Sequence, residues 1–187
     1  MNFREKSLEL YREGKTVEEI QKVVGIPIEL DTLKKWDEES RKFDSTKDLI
    51  KKSIKLKRKL KEKDKITDSQ MEALNEELRD VSSEIIDINP DNLVAKKDLF
   101  NSLYNLREWA KAEVVGKEII EVEEENVSVL NKLANISYKR KGYNDAIEYL
   151  EKIILLNPEN ENFKTKLEDI RRAAQTVEAL YTKKITL

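Results

Sequence analysis

The second half of this chain repeats itself every 34 residues. Residues 138–160 read YKRKGYNDAIEYLEKIILLNPEN, and residues 104–126 read YNLREWAKAEVVGKEIIEVEEEN. Tyr138 falls on Tyr104, Tyr143 on Trp109, Ala146 on Ala112, Ile153 on Ile119 and Ile154 on Ile120. One period further back, IIDINPDN at residues 85–92 falls on IILLNPEN at residues 153–160. A unit of that length is one helical hairpin, and it completes its core only by stacking on its neighbours. Such stacks expose long faces suited to binding, so the repeat points to an interaction protein.

Composition agrees with an all-α chain. Hydrophobic residues make up 39% and charged residues 40%, and there are only 4 Gly and 3 Pro. That leaves little material for β-turns or long ordered loops. The chain has no Cys and no His. This excludes thiol chemistry, disulfides, Cys/His zinc sites and an imidazole base. There is no GxxxxGK phosphate loop, no Gly-rich dinucleotide fingerprint and no nucleophile elbow. A non-enzymatic protein without a cofactor is expected. The first fifteen residues are charged throughout, and no apolar run approaches the ~20 residues of a membrane span. The expectation is a cytoplasmic protein with no membrane partner; the sequence sets no oligomeric state.

Two domains joined by a basic linker helix are expected along the chain. Residues 1–43 carry two short helices and the start of a third. Leu8, Leu10 and Tyr11 give the first an apolar stripe, and Gly14 stands where a C-cap belongs. Thr16 with Glu19 forms a capping box, in which hydroxyl and carboxylate each satisfy a free N–H. Val17, Ile20, Val23 and Val24 follow, and Gly25 ends the second helix. A third helix begins at Leu30 or Asp31 and runs through Leu33, Trp36 and Phe43. Residues 44–66 form a separate basic linker helix, with Asp44, Ser45 or Thr46 as its cap. The array fills residues 67–180. Asn89-Pro90 and Asn157-Pro158 act as stops, because Pro removes a donor and restrains the residue before it. Residues 160–180 read as a capping helix with Phe163, Leu167, Ile170, Ala174, Val177 and Leu180 inward. Residues 181–187 are expected to fray.

Two resemblances follow from these residues. Leu10, Tyr11, Gly14, Glu19, Ile20, Gly25, Ile26, Thr32, Leu33 and Trp36 resemble the helix-turn-helix modules of phage terminase small subunits. Six residues separate Gly25 from Thr32, where that family usually leaves about four. The array resembles the tetratricopeptide repeat. Leu133, Ala134, Tyr143, Ala146, Leu150, Ile153 and Pro158 fall on its signature positions in one unit, and Leu99, Trp109, Ala112 and Ile119 in the unit before. That earlier unit has Phe100 where a small residue is usual, and Glu124 where Pro is usual. A third unit, ending at Pro90, matches only in its second helix.

The second resemblance implies that first helices line a peptide-binding groove. Carried over by position, the groove shows Val94, Lys97, Asp98, Asn101, Tyr104 and Asn105, then Asn131, Lys132, Asn135, Tyr138 and Lys139, then Asn162 and Lys166. The binding set expected is Lys97, Asn101, Tyr104, Asn131, Lys132, Asn135, Tyr138 and Lys166. Residues three and four apart share a helix face, so the Asn and Tyr of each helix point one way. Some members of the family clamp a C-terminal carboxylate. Lys97 and Asn101 match two of those positions, and Lys166 stands where Arg is common; Lys132 replaces an Asn and Asn162 a Lys.

Charge is segregated. Residues 41–65 hold 12 basic and 4 acidic residues, net +8, and residues 66–130 hold 6 and 16, net −10. Lys34, Lys35, Lys51, Lys52, Lys55, Lys57, Arg58 and Lys59, most of them on the basic stretch 47–65, are candidates for neutralising nucleic-acid phosphates. The same stretch could instead pair with the acidic array, or form a solvated face. Asp31, Asp37, Glu38 and Glu39 oppose phosphate binding by the third helix. The leading expectation is an adaptor that holds a protein segment; the alternative is a nucleic-acid-binding regulator.

Overall fold

The computed structural model describes residues 2–185, with side chains through residue 179. Among the described residues there are nine α-helices, one 3-10 turn and no strand. No helix among them is long and apolar enough to cross a membrane. The chain divides into two compact units, Met1–Ile54 and Lys55–Leu187.

In the first unit, α1 (Phe3–Arg12), α2 (Val17–Val24) and the start of α3 (Leu30–Lys61) close on a small core. Leu10, Ile20, Ile28 and Leu33 form it, with Tyr11, Val17, Val24 and Trp36 packed against them. Both short helices begin with a capping box, Asn2 with Glu5 and Thr16 with Glu19. Gly14 and Gly25 take left-handed backbone, φ 82° and 74°, where a Cβ would be strained.

One expectation is corrected here. The third helix and the separate linker helix are a single helix of 32 residues. No Gly or Pro occurs within it. Thr46, expected as a cap, donates its hydroxyl to the carbonyl of Lys42 at 2.8 Å. A hydroxyl that bonds four residues back stays inside a helix instead of starting one. The two units meet in sequence at residue 54/55, inside this helix, and not at residues 43 and 66.

In the second unit, a 3-10 turn (Lys63–Lys65) leads to α4 (Asp68–Ile88), opened by a capping box of Thr67 with Gln70. Two hairpins follow, α5 (Leu93–Asn105) with α6 (Trp109–Val122) and α7 (Val127–Lys139) with α8 (Tyr143–Leu156). The last helix is α9 (Glu161–Ile185), which continues through residues 181–185, where fraying was expected. The expected inward side chain of Leu180 and residues 186–187 lie outside the described residues. The linkers between hairpins obey the period. Asn92 N–H donates to the Asn89 carbonyl, Asn126 to Glu123 and Asn160 to Asn157, each at 3.1 Å. Glu124 thus makes the same turn that Pro90 and Pro158 make.

The core runs through both hairpins into α9. It is built from Phe100, Leu103, Ala112, Ile119, Leu130, Leu133, Ala134, Leu150, Ile153 and Ile170, among others. Phe100 is 1% exposed, although the resemblance calls for a small residue there. Gly116 on α6 makes the room: a Cβ at Gly116 would sit 2.7 Å from both the Phe100 ring and Leu133 Cδ2. In the next unit the sizes are exchanged, with Ala134 at the place of Phe100 and Leu150 at the place of Gly116. Large against small is kept while the sides swap.

Gly116→Ala is therefore expected to destabilise the protein by about 1 kcal/mol net, since overpacking costs about 1–3 kcal/mol and exceeds the helix-propensity gain of roughly 1. Adding Phe100→Ala to Gly116→Leu should recover stability that Gly116→Leu alone loses. Urea unfolding of the four proteins checks both statements.

Candidate functional site

The face formed by the first helices of successive hairpins collects the expected binding residues. On α5, α7 and α9 they occur at matching positions. Tyr104 and Tyr138 lie one period apart, and so do Asn101 and Asn135, and Lys97 and Asn131. Each Tyr is fixed by an aromatic from its own hairpin partner. Tyr104 meets Trp109 edge-on at 5.4 Å between ring centres, and Tyr138 meets Tyr143 at 5.8 Å.

Polar side chains on this face bond from one first helix to the next. Lys132 Nζ donates to Asn101 Oδ1. Asn135 Nδ2 donates to the Tyr104 hydroxyl at 3.1 Å, and Lys166 Nζ to Asn131 Oδ1 at 2.6 Å. Asn105 Nδ2 continues the ladder to Asn75 Oδ1 on α4 at 2.9 Å. Tyr138 stays exposed, and the other members of the expected set are half-buried.

The lysines fall into two groups. Lys57 and Lys97 have anionic partners: Lys57 Nζ lies 2.6 Å from Asp98, and Lys97 Nζ 2.6 Å from Glu123. Asp98, expected on the groove surface, is buried by that contact. Glu123, just after the end of α6, is a partner of the face. Its carboxyl is held below the usual range by hydrogen bonds from Lys97 and Asn126. Lys132 and Lys166 have no carboxylate within ion-pair distance among the described residues. Their ammonium groups touch side-chain amide oxygens, and Lys132 also lies over the rings of Tyr104 and Phe100, at 5.3 and 5.8 Å. Burial pushes both lysines below their ordinary 10.5, and the charge of Lys63 adds to the effect at Lys132.

Of the remaining groove positions, Val94, Asn105, Lys139 and Asn162 are exposed. Lys63 escaped sequence reading because it precedes the repeats. It lines a cleft with Asp68, Glu72, Asn75, Asn105 and Arg107. The pairing of Asp98 with Lys57 had a faint signal. Residues 98, 132 and 166 are one period apart, and they read Asp, Lys, Lys.

The candidates for phosphate contact are dispersed. Lys34 pairs with Asp31 at 3.7 Å and Lys51 with Asp48 at 3.0 Å, and Lys57 is committed to Asp98. Lys35, Lys52, Lys55, Arg58 and Lys59 are exposed. In the first unit the cations of α3 meet its own carboxylates and those of α1 meet α3: Arg41 with Asp37, Lys42 with Glu38, Arg12 with Asp37 and Arg4 with Glu39. Asp37 is held ionised, first by its hydrogen bond from Arg12. That surface offers phosphate few unpaired cations.

No protein-family model matches the chain, and no curated protein matches it. Among solved structures, the chain is similar to that of the MamA RS-1 ArsTM double mutant, with a TM-score of 0.53 and 16% identity. The match covers 97% of this chain and 89% of that one. Likeness at this level is likeness of fold, and it agrees with an all-α helical array.

Lys132 also sets a pH dependence. A lysine whose folded pKa is depressed binds its proton more firmly when unfolded, so between the depressed value and 10.5 its contribution to stability rises with pH. The stability of the wild type relative to Lys132→Met is expected to increase as the pH rises towards 10.5. Urea unfolding of both proteins across that rise reads the difference, and a flat or falling difference contradicts it.

Proposed function

We propose that this protein is a non-enzymatic adaptor that holds a segment of a partner protein along the face of its first helices. The observation that carries the reading is the aligned row of Asn and Tyr on α5 and α7, repeated at 34 residues and fixed from behind by Trp109 and Tyr143. Rigid aromatics supply contact area at little cost in side-chain freedom, and amides can pair with an extended backbone. Fixing the row in advance reduces the ordering that binding must impose. The fold likeness to a helical-repeat array is compatible with this use.

Lys97 and Asn101, the two positions that match a terminal-carboxylate clamp, are occupied by Glu123 and Lys132. A clamp built on them would first have to break those bonds.

A second reading rests on one observation. Arg58 and Lys59 follow Lys55 by three and four positions on α3, so the three share one helix face, and all are exposed. On that reading the stripe contacts nucleic-acid backbone, and charge reversal at Lys55, Arg58 and Lys59 removes the binding. Absence of any binding to duplex DNA or single-stranded RNA at low salt eliminates it.

For the adaptor reading, Asn101→Ala, Asn131→Ala and Asn135→Ala together are expected to weaken binding of peptides selected on the protein by roughly tenfold or more. Undiminished binding by the folded triple variant sinks the assignment of this face.

A further inference from the structure

We infer that the segment held on this face is acidic, and that its Asp or Glu side chains neutralise Lys132 and Lys166. The inference rests on the adaptor reading and names the chemistry of its partner. Residues 98, 132 and 166 are equivalent positions on α5, α7 and α9. At the first, Asp98 meets Lys57 and the charges cancel within the protein. At the other two, the protein supplies a cation and no anion among the described residues.

A half-buried ammonium without a counter-ion is costly, because burial removes hydration that an amide oxygen only partly replaces. Neutral side chains of similar length would avoid that cost. Every other half-buried lysine or arginine described in this unit pairs with an internal carboxylate. Lys97 pairs with Glu123, Lys96 with Glu118 and Arg79 with Glu108. The two exceptions stand one period apart, both tied to Asn side chains of the proposed binding row. An external carboxylate at each would complete the pairing made internally at Asp98, and in a partly dehydrated setting such bonds are strong.

Geometry and charge narrow the partner. Helices packed side by side lie about 8–10 Å apart. An extended chain covers that distance in about three residues. Acidic residues two or three apart would therefore reach both lysines. A nucleic acid carries a charge on every nucleotide, and residues 66–130, at net −10, would repel such a continuous polyanion. A short protein segment with two placed carboxylates meets less of that repulsion.

The test is selection from a random dodecapeptide library displayed with both peptide ends blocked, using the full chain as bait. Selected sequences are then made as C-terminal amides and their affinities measured by fluorescence anisotropy. The expected outcome is enrichment of Asp and Glu two or three positions apart. Lys132→Met and Lys166→Met should each weaken those peptides about tenfold or more. Replacing the peptide's acids by Asn or Gln should weaken it similarly, and changing the exposed Lys152 of α8 by Lys152→Met should leave it unchanged. Lys132→Gln serves as a second variant should Lys132→Met unfold. Peptides that depend on Asn101, Asn131 and Asn135 but carry no acidic enrichment overturn this inference and leave the adaptor reading standing. Peptides indifferent to those three Asn overturn the adaptor reading itself. Affinity that appears only with a free C-terminal acid, displacement of selected peptides by an equimolar single-stranded oligonucleotide, or no enrichment at all each overturns the acidic-segment inference.

Discussion

Phe100, Gly116 and Leu133 come from three consecutive helices, and the packing of the array turns on their meeting point. A single hairpin of α5 and α6 would leave the other side of that contact open to water. Leu133 of α7 closes it, so each hairpin is finished by its successor. Close packing leaves no slack for an added methyl group. The contact fixes how near α6 can approach α5 and α7, and hence where the side chains on the opposite side of α5 and α7 must lie. The row of Asn and Tyr is regular because the core behind it is tight.

On that opposite side, polar groups replace hydrocarbon as the contact between successive first helices. Lys132 to Asn101, Asn135 to Tyr104 and Lys166 to Asn131 form a continuous ladder, and Asn105 extends it to Asn75 on α4, the second helix of the preceding unit. Each rung is a modest interaction on its own, and its larger effect is to hold long side chains in one arrangement. A surface ordered this way has lost part of its entropy before any partner arrives. Stability and recognition draw on the same side chains, which is why the aromatic anchors and the amides recur together with the period.

Much of the fold could be read from local signals. Thr16 with Glu19, Gly25 and the two Asn-Pro pairs each mark an end where the structure has one, because a cap or stop acts within a turn or two of its own residue. The hairpin helices follow from the 34-residue register. Asp44, Ser45 and Thr46 gave a false cap for a reason of the same kind. A hydroxyl such as that of Thr46 can bond backward into a helix as readily as it can start one, and no Gly or Pro nearby decides the matter. The site was legible as a set of positions and illegible as a set of bonds. Lys97 and Glu123 are 26 residues apart, and Lys57 and Asp98 are 41 apart. Which of several nearby charges such a side chain meets depends on packing that no local pattern encodes.

The turns inside the hairpins carry an unusual backbone. Arg107 and Lys141, one period apart, have φ of 59° and 64°, although Gly142 follows Lys141 directly with φ of −82°. Each closes a double hydrogen bond over the end of the preceding helix. Glu108 N–H reaches Leu103 and Arg107 reaches Tyr104, and Gly142 reaches Ser137 and Lys141 reaches Tyr138. A side chain in that conformation costs roughly 1–2 kcal/mol, so these corners are held shut by the bonds they make and by the packing on either side. Local opening begins where such costs concentrate. The amides of the two corners then exchange with solvent sooner than those of the helices they join. By that argument the two corners, one in each hairpin, are the places where the array is expected to open first.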